Sequence, residues 1–304
     1  MSKKISSVII YISILSAVTF WGFSFIWTNS LLQQGFPVYS LVFFRMLFAA
    51  IILSIVSFTA RKIEKVDKKD YGWFLLLVLL EPFIYFLGET FGLQILNSPT
   101  ISSIIISTIP LFAMIAGIVF YKERVGLINV LGIIITLPGI LLVVFEKGGI
   151  SVDHYIGILL LFVAVFAAVG YSVVVKRLAG KYNSYTIVTY QHSLGALYFL
   201  PFFLFSDLQS LSLDMFTWSV LSPLLFLAIL CSCVAFILFI NSIKVLGVAR
   251  ANIFTTLVPA ISAIGAFLLG HEDMSFRKAL GIAIVIAGVI IAQWQKKSAK
   301  ELAD

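Results

Sequence analysis

PLFAMIAGIVFYKERVGLINVLGIIITLPGILLVVFEK, residues 110–147, is an apolar run opened by Pro110, interrupted by Lys122-Glu123-Arg124 and resumed with Gly132 and Gly139. The same phrasing returns 149 residues later as Pro259, Glu272, Gly281, Gly288 and Lys296. Residues 104–147 lie over 253–296 without a gap, with ten identical pairs in 44 columns. The Ile and Leu pairs are expected by chance in so apolar a chain. The Pro110/Pro259, Glu123/Glu272, Gly132/Gly281 and Gly139/Gly288 pairs at one offset are not. One unit is therefore present twice, and such repetition governs how the rest is read.

The 304 residues are 61% hydrophobic and 12% charged, with mean hydropathy +1.10. A soluble domain carries about 25% charged residues, so the solvent for most of this surface is lipid. The formal charge of +7 reads as a topology signal, because basic residues of membrane proteins collect on the cytoplasmic side. Nucleic acid is excluded as a partner, since no folded module offers a basic face. Cys231 and Cys233 form an isolated Cys-x-Cys pair, which suits neither a zinc site nor a disulfide framework. Both read as small buried residues, and no metal or cofactor is expected. Residues after Lys4 stay apolar for roughly 22 positions, long enough for a spanning helix rather than a signal peptide.

A helix needs about 20 apolar residues to cross the hydrocarbon. That ruler gives ten spans, at 8–29, 38–59, 72–95, 99–121, 126–145, 154–176, 184–205, 217–243, 248–270 and 278–295. With the N-terminus inside, seventeen lysines and arginines fall on the inner segments, three on the outer loops and Arg45 within a span. Both termini are therefore expected in the cytoplasm, with the protein in the cell membrane. Ten spans in two units give five each, dividing at 1–148 and 149–304. An odd number makes the second unit start from the opposite side. The expected fold is all-α integral membrane, ten transmembrane helices as two inverted five-helix repeats. Such repeats recur in secondary transporters, whose substrate site lies near the midplane where they meet. Gly22/Gly170 and Ser24/Ser172 match at an offset of 148, one short of the later register.

Phe20-Trp21-Gly22-Phe23-Ser24-Phe25, Arg45 and the doubled Pro–Glu–Gly–Gly phrase resemble the EamA-like members of the drug/metabolite transporter superfamily. The resemblance covers nearly the whole chain. It implies alternating-access transport of small organic molecules through a cavity lined mainly by spans 1, 3, 4, 6, 8 and 9. The second repeat departs from the pattern at Val169, opposite Trp21, and at His271, opposite Lys122.

Ionisable groups at depth cost about 2.5–3.5 kcal/mol each even on the mild insertion scale, so they are functional candidates. Four stand out: Arg45, Glu81, Glu89 and His192. Arg45 and Glu89 lie at similar depths below the outer ends of spans two and three, which permits an ion pair. Glu81, Tyr85, Gly88, Glu89 and Gly92 recur at helical spacing and form one stripe of span three. That stripe reads as a cavity wall or, through its glycines, as a packing seam. Glu81 is farther from water and is the candidate for proton coupling, with Pro82 bending the helix beside it. His192 in span seven could also exchange protons, or simply pack. Trp21 and Tyr171 occupy nearby positions in the two repeats and offer aromatic contact to substrate. Asn241 and Asn252 offer amides to substrate or to neighbouring helices. Glu123 and Glu272 read as determinants of helix ends.

The expected function is a secondary transporter for a small metabolite, an amino acid or amine-like solute, in the export direction. Expected partners are that small-molecule substrate and the lipid bilayer, with optional proton coupling and a monomeric or homodimeric state. The competing classes are an intramembrane enzyme, for which no catalytic motif is present, and a channel, for which no selectivity filter is visible.

Overall fold

The computed structural model describes residues 2–123, 126–144, 152–270 and 273–293. They form ten helices: α1 (Ser2–Gln33), α2 (Val38–Thr59), α3 (Lys68–Leu96), α4 (Pro99–Tyr121), α5 (Leu127–Val144), α6 (Val152–Ala179), α7 (Ser184–Phe202), α8 (Trp218–Leu246), α9 (Val248–Leu268) and α10 (Phe276–Gln293). Seven of them, α1–α4, α6, α8 and α9, are long and apolar enough to cross a membrane. The other three have 18 or 19 described residues each. Of the repeated phrase, Arg124, Lys147, His271, Glu272 and Lys296 lie outside the described residues.

Local chemistry sets the ends. Asn183 Oδ1 accepts the Thr186 N–H at 2.8 Å and starts α7, an ordinary N-cap. Ser98 caps α4 through Ile101 N at 3.2 Å, with Pro99 in the first turn, where its missing N–H costs nothing. Glu123, at the end of α4, accepts from Val248 N at 2.8 Å and Ala249 N at 2.9 Å. It caps α9 from another helix, as its reading as a helix-end residue implied. Asp207 beyond α7 caps α2 in the same way through Ser40 N at 2.7 Å.

The pairing of helices follows the inversion. α3 packs along α6 as α1 packs along α8, and α2–α7, α4–α9 and α5–α10 join equivalent helices of the two halves. Glycine permits the tightest of these approaches. A Cβ added at Gly132 of α5 would lie 2.2 Å from Ala292 N of α10, and one at Gly139 would lie 2.6 Å from Gly281 O. The glycines of the doubled phrase are thus a seam between α5 and α10.

Both copies of the doubled proline mark a break. α4 is interrupted at Ser107–Thr108 before Pro110, and α9 passes through a tight turn at Phe254–Leu257 before Pro259. α3 and α8 each contain a wide π turn, at Leu79–Ile84 and Leu227–Val234. Only the one in α3 carries a proline and a carboxylate. Glu81 there is extended (φ −146°, ψ 115°) and is followed by a cis peptide to Pro82.

At the face where α1 begins, the α2–α3 loop is tied to the α6–α7 turn. Lys181 Nζ reaches Asp67 at 2.6 Å and also Asp70, and Tyr182 donates to Asp70 at 2.6 Å. We call this the basic face, since it also carries Lys176, Arg177, Lys244 and Arg250. Lys181 holds both carboxyls below the usual aspartate range, and they in turn push its amine up.

Candidate functional site: a polar cavity between the repeats

The break at Glu81 opens α3 toward the interior, and one turn and two turns further on stand Tyr85 and Glu89. All three line a central cavity and are buried. Tyr85 Oη donates to Glu89 Oε1 at 3.3 Å. The glycines of the same stripe do something else. Gly88 and Gly92 sit against the Leu160 and Gly157 carbonyls of α6, where an added Cβ would come to 2.5 and 3.0 Å. The stripe therefore divides into an acidic wall that faces the cavity and a packing seam that holds α3 against α6.

Arg45 is the sole contribution of α2 to the lining. Its Nε donates to Ser232 Oγ of α8 at 2.9 Å, and its guanidinium lies 4.2 Å over the Phe86 ring. These contacts hold it between α8 and α3. Among the described residues no ion pair joins Arg45 to Glu89 within 4.0 Å; the two share the cavity instead.

α1 and α8 supply aromatic wall. Trp21 Nε1 donates to Cys231 O at 3.1 Å, and its ring meets Phe239 and Phe236 edge-on at 4.7 and 5.3 Å. From α6, Tyr171 donates to Gln191 Oε1 at 3.0 Å, and Ser172 is bonded by Asn252 Nδ2 of α9 at 3.2 Å. Cys231 and Cys233 are free thiols buried in α8. The cavity holds about 50 Å³ for the centre of a water-sized sphere. At about 10–15 Å³ of that measure per water, it has room for a few waters in this conformation.

Seven of the candidate residues thus converge on one cavity: Trp21, Arg45, Glu81, Tyr85, Glu89, Tyr171 and Asn252. Two lie apart from it. Asn241 is half-buried outside the lining, because at 3.6 residues per turn it sits about 140° around α8 from Phe236. His192 is fully buried behind the wall, with Nδ1 2.9 Å from Val188 O and its ring edge-on to Phe236 at 5.4 Å. α7 contributes none of the lining residues and packs on α2, α3 and α8.

Sequence reasoning passed over Ser24, Ile106, Ile109, Ser172, Thr255 and Val258, all of which line the cavity. The signal was present: they are equivalent pairs, Ser24/Ser172 at offset 148 and Ile106/Thr255 and Ile109/Val258 at 149. α3 and α8 behave differently. After their π turns, Tyr85–Leu96 and Ala235–Leu246 match at offset 150. The residue opposite Glu89 is therefore Phe239, not the Leu238 that a uniform offset of 149 selects.

Ten apolar helices in two inverted repeats around a polar cavity define a membrane carrier. The model of the EamA-like transporter family matches residues 8–145 and again 155–293, and the chain belongs to that family. It is 25% identical to an uncharacterized transporter of Archaeoglobus fulgidus, covering 92% of this chain and 97% of that one. It is 26% identical to the uncharacterized transporter YetK of Bacillus subtilis, covering 94% of this chain and 87% of YetK. A solved crystal structure superimposes with a TM-score of 0.74 over 93% of this chain and 95% of its own, at 16% identity; it shares the fold. The protein is a multi-pass membrane transporter, and the enzyme alternative falls with that assignment.

Proposed function

We propose that the protein exports a small amino acid or amine-like solute by alternating access through the cavity between α1, α3, α4, α6, α8 and α9. The observation that carries this reading is the composition of one wall-bound site. Glu81 and Glu89 can pair with an ammonium group, Arg45 with a carboxylate, and Trp21, Phe236 and Phe239 with an apolar side chain. Intramembrane charges that do not neutralise one another directly are most economically explained by a charged ligand between them. The space present holds only a few waters, so loading requires the helices around it to separate, as alternating access demands.

The halves divide at residues 148/149, and the basic face, with both termini, is the cytoplasmic one. That assignment rests on the excess of lysine and arginine there. Glu81 is the candidate for proton coupling, and His192 is a packing residue behind the wall. The carrier functions as a monomer or homodimer.

A ligand-stabilisation screen of the purified protein across amino acids, amines and nucleobases identifies the solute. Its flux into proteoliposomes is expected to saturate, to discriminate stereoisomers and to be lost in Glu89→Gln or Glu81→Gln. Full flux in both variants would refute this site.

A further inference from the structure

A second recess of about 300 Å³ opens beside the basic ends of α6, α8 and α9, lined among others by Lys176, Leu246, Arg250 and Ile253. Like the central cavity, it is lined from α6, α8 and α9. Lys176 is one turn from the cavity residue Ser172 on α6, and Ile253 adjoins the cavity residue Asn252 on α9. On the cavity side of those two positions, Asn252 Nδ2 donates to Ser172 Oγ at 3.2 Å and also to Val248 O at 2.8 Å. We propose that this recess is the antechamber of the central cavity on the basic face, and that Ser172–Asn252 is the partition a solute must part to pass between them.

The opposite face lacks the same closure. By repeat equivalence Ser172 corresponds to Ser24 and Asn252 to Ser103. Ser24 donates to Trp21 O at 2.7 Å and Ser103 to Thr100 O at 2.9 Å, each on its own helix. Tyr121 adds a second tie on the basic side, donating to Val173 O at 2.6 Å; its equivalent is Gly270, which has no side chain to donate. Lys176 Nζ, bonded to Ile243 O at 3.0 Å, further fastens α6 to α8 at the same level. The two ends of the cavity are thus closed by different chemistry. The polar side-chain bonds that tie α6 to α9 and α4 in this way are on the basic side.

This inference rests on the carrier reading for its meaning, but its test needs no substrate. In a Cys231→Ala/Cys233→Ala background, single cysteines are placed at Leu246, in the recess, and at Ala168, in the cavity one turn beyond Ser172. An impermeant thiol reagent is applied to membrane vesicles, with an exposed Lys68→Cys reporter identifying those that present the basic face. Leu246→Cys is expected to react quickly and Ala168→Cys slowly. Adding Asn252→Ala or Ser172→Ala is expected to raise the Ala168→Cys rate tenfold or more while leaving Leu246→Cys unchanged. An unchanged Ala168→Cys rate in both variants, each shown to be folded by thermal melting, overturns the partition. A slow Leu246→Cys overturns the antechamber. If no solute is transported at all yet the tenfold change is seen, the carrier's proposed substrate fails and the partition stands.

Discussion

Glu89 and Phe239 occupy the same place in the two repeats and face the same cavity. Each is the fifth residue after the π turn of its helix, α3 or α8. The inversion builds two equivalent walls, and the side chains then make one acidic and the other aromatic. Phe86 and Phe236, also 150 apart, keep the same type on both walls. The site's polarity is therefore carried by very few positions, chiefly Glu81, Tyr85 and Glu89.

Tyr85→Phe removes the hydroxyl that donates to Glu89 while keeping the ring in place. A bond of this length is worth about 1 kcal/mol. A small fall in thermal midpoint in detergent is expected, together with weaker solute binding by calorimetry. Unchanged binding would show that Glu89 is oriented by something else.

Glu123→Ala leaves Val248 N and Ala249 N without their acceptor at the start of α9. Loss of a cap costs about 0.5–2 kcal/mol. Thermal unfolding and hydrogen exchange of α9 amides are the readouts, with faster exchange expected at Val248 and Ala249 first.

Gly132→Leu drives a side chain into Ala292 of α10, where even a Cβ would reach 2.2 Å from backbone nitrogen. Overpacking of this kind costs about 1–3 kcal/mol or more, and backbone cannot yield as a side chain can. Expression and thermal midpoint should both fall, whereas Leu131→Val on the exposed side of α5 should leave them unchanged.

The Lys181 tie on the basic face predicts a pH profile. Asp67 and Asp70 are lowered from 3.8 by Lys181, so their contribution is present above about pH 4 and is lost as pH falls through the folded values. Lys181 is raised from 10.5, so its contribution is complete below that pH and is lost only as pH rises past the folded value. Between those limits the tie is intact. Lys181→Met should lower the thermal midpoint at pH 7 and flatten the decline between pH 5 and 3. Solvent screens the exposed Lys181–Asp67 pair, so the effect should shrink in high salt.

Much of this molecule was legible in the chain itself. Composition alone determines lipid as the solvent, because so few charges cannot cover a water-facing surface. Span length determines ten helices, and the Pro, Glu and Gly matches determine the duplication. Five spans per unit then determine the inversion. The spacing of Tyr85 and Glu89 determines that they share one side of α3, whereas Glu81 joins them through the break in that helix. What periodicity does not contain is the rotation of one helix against another, since it fixes angles only within a helix. Tertiary packing decided that Gly88 and Gly92 serve α6 while their neighbours serve the cavity. It decided that Arg45 binds Ser232 and Phe86 rather than Glu89, that His192 stands behind the wall and that Asn241 turns away from it. The π turns of α3 and α8 differ in length, Leu79–Ile84 against Leu227–Val234, so the helices that follow them match at offset 150 and Phe239 stands opposite Glu89.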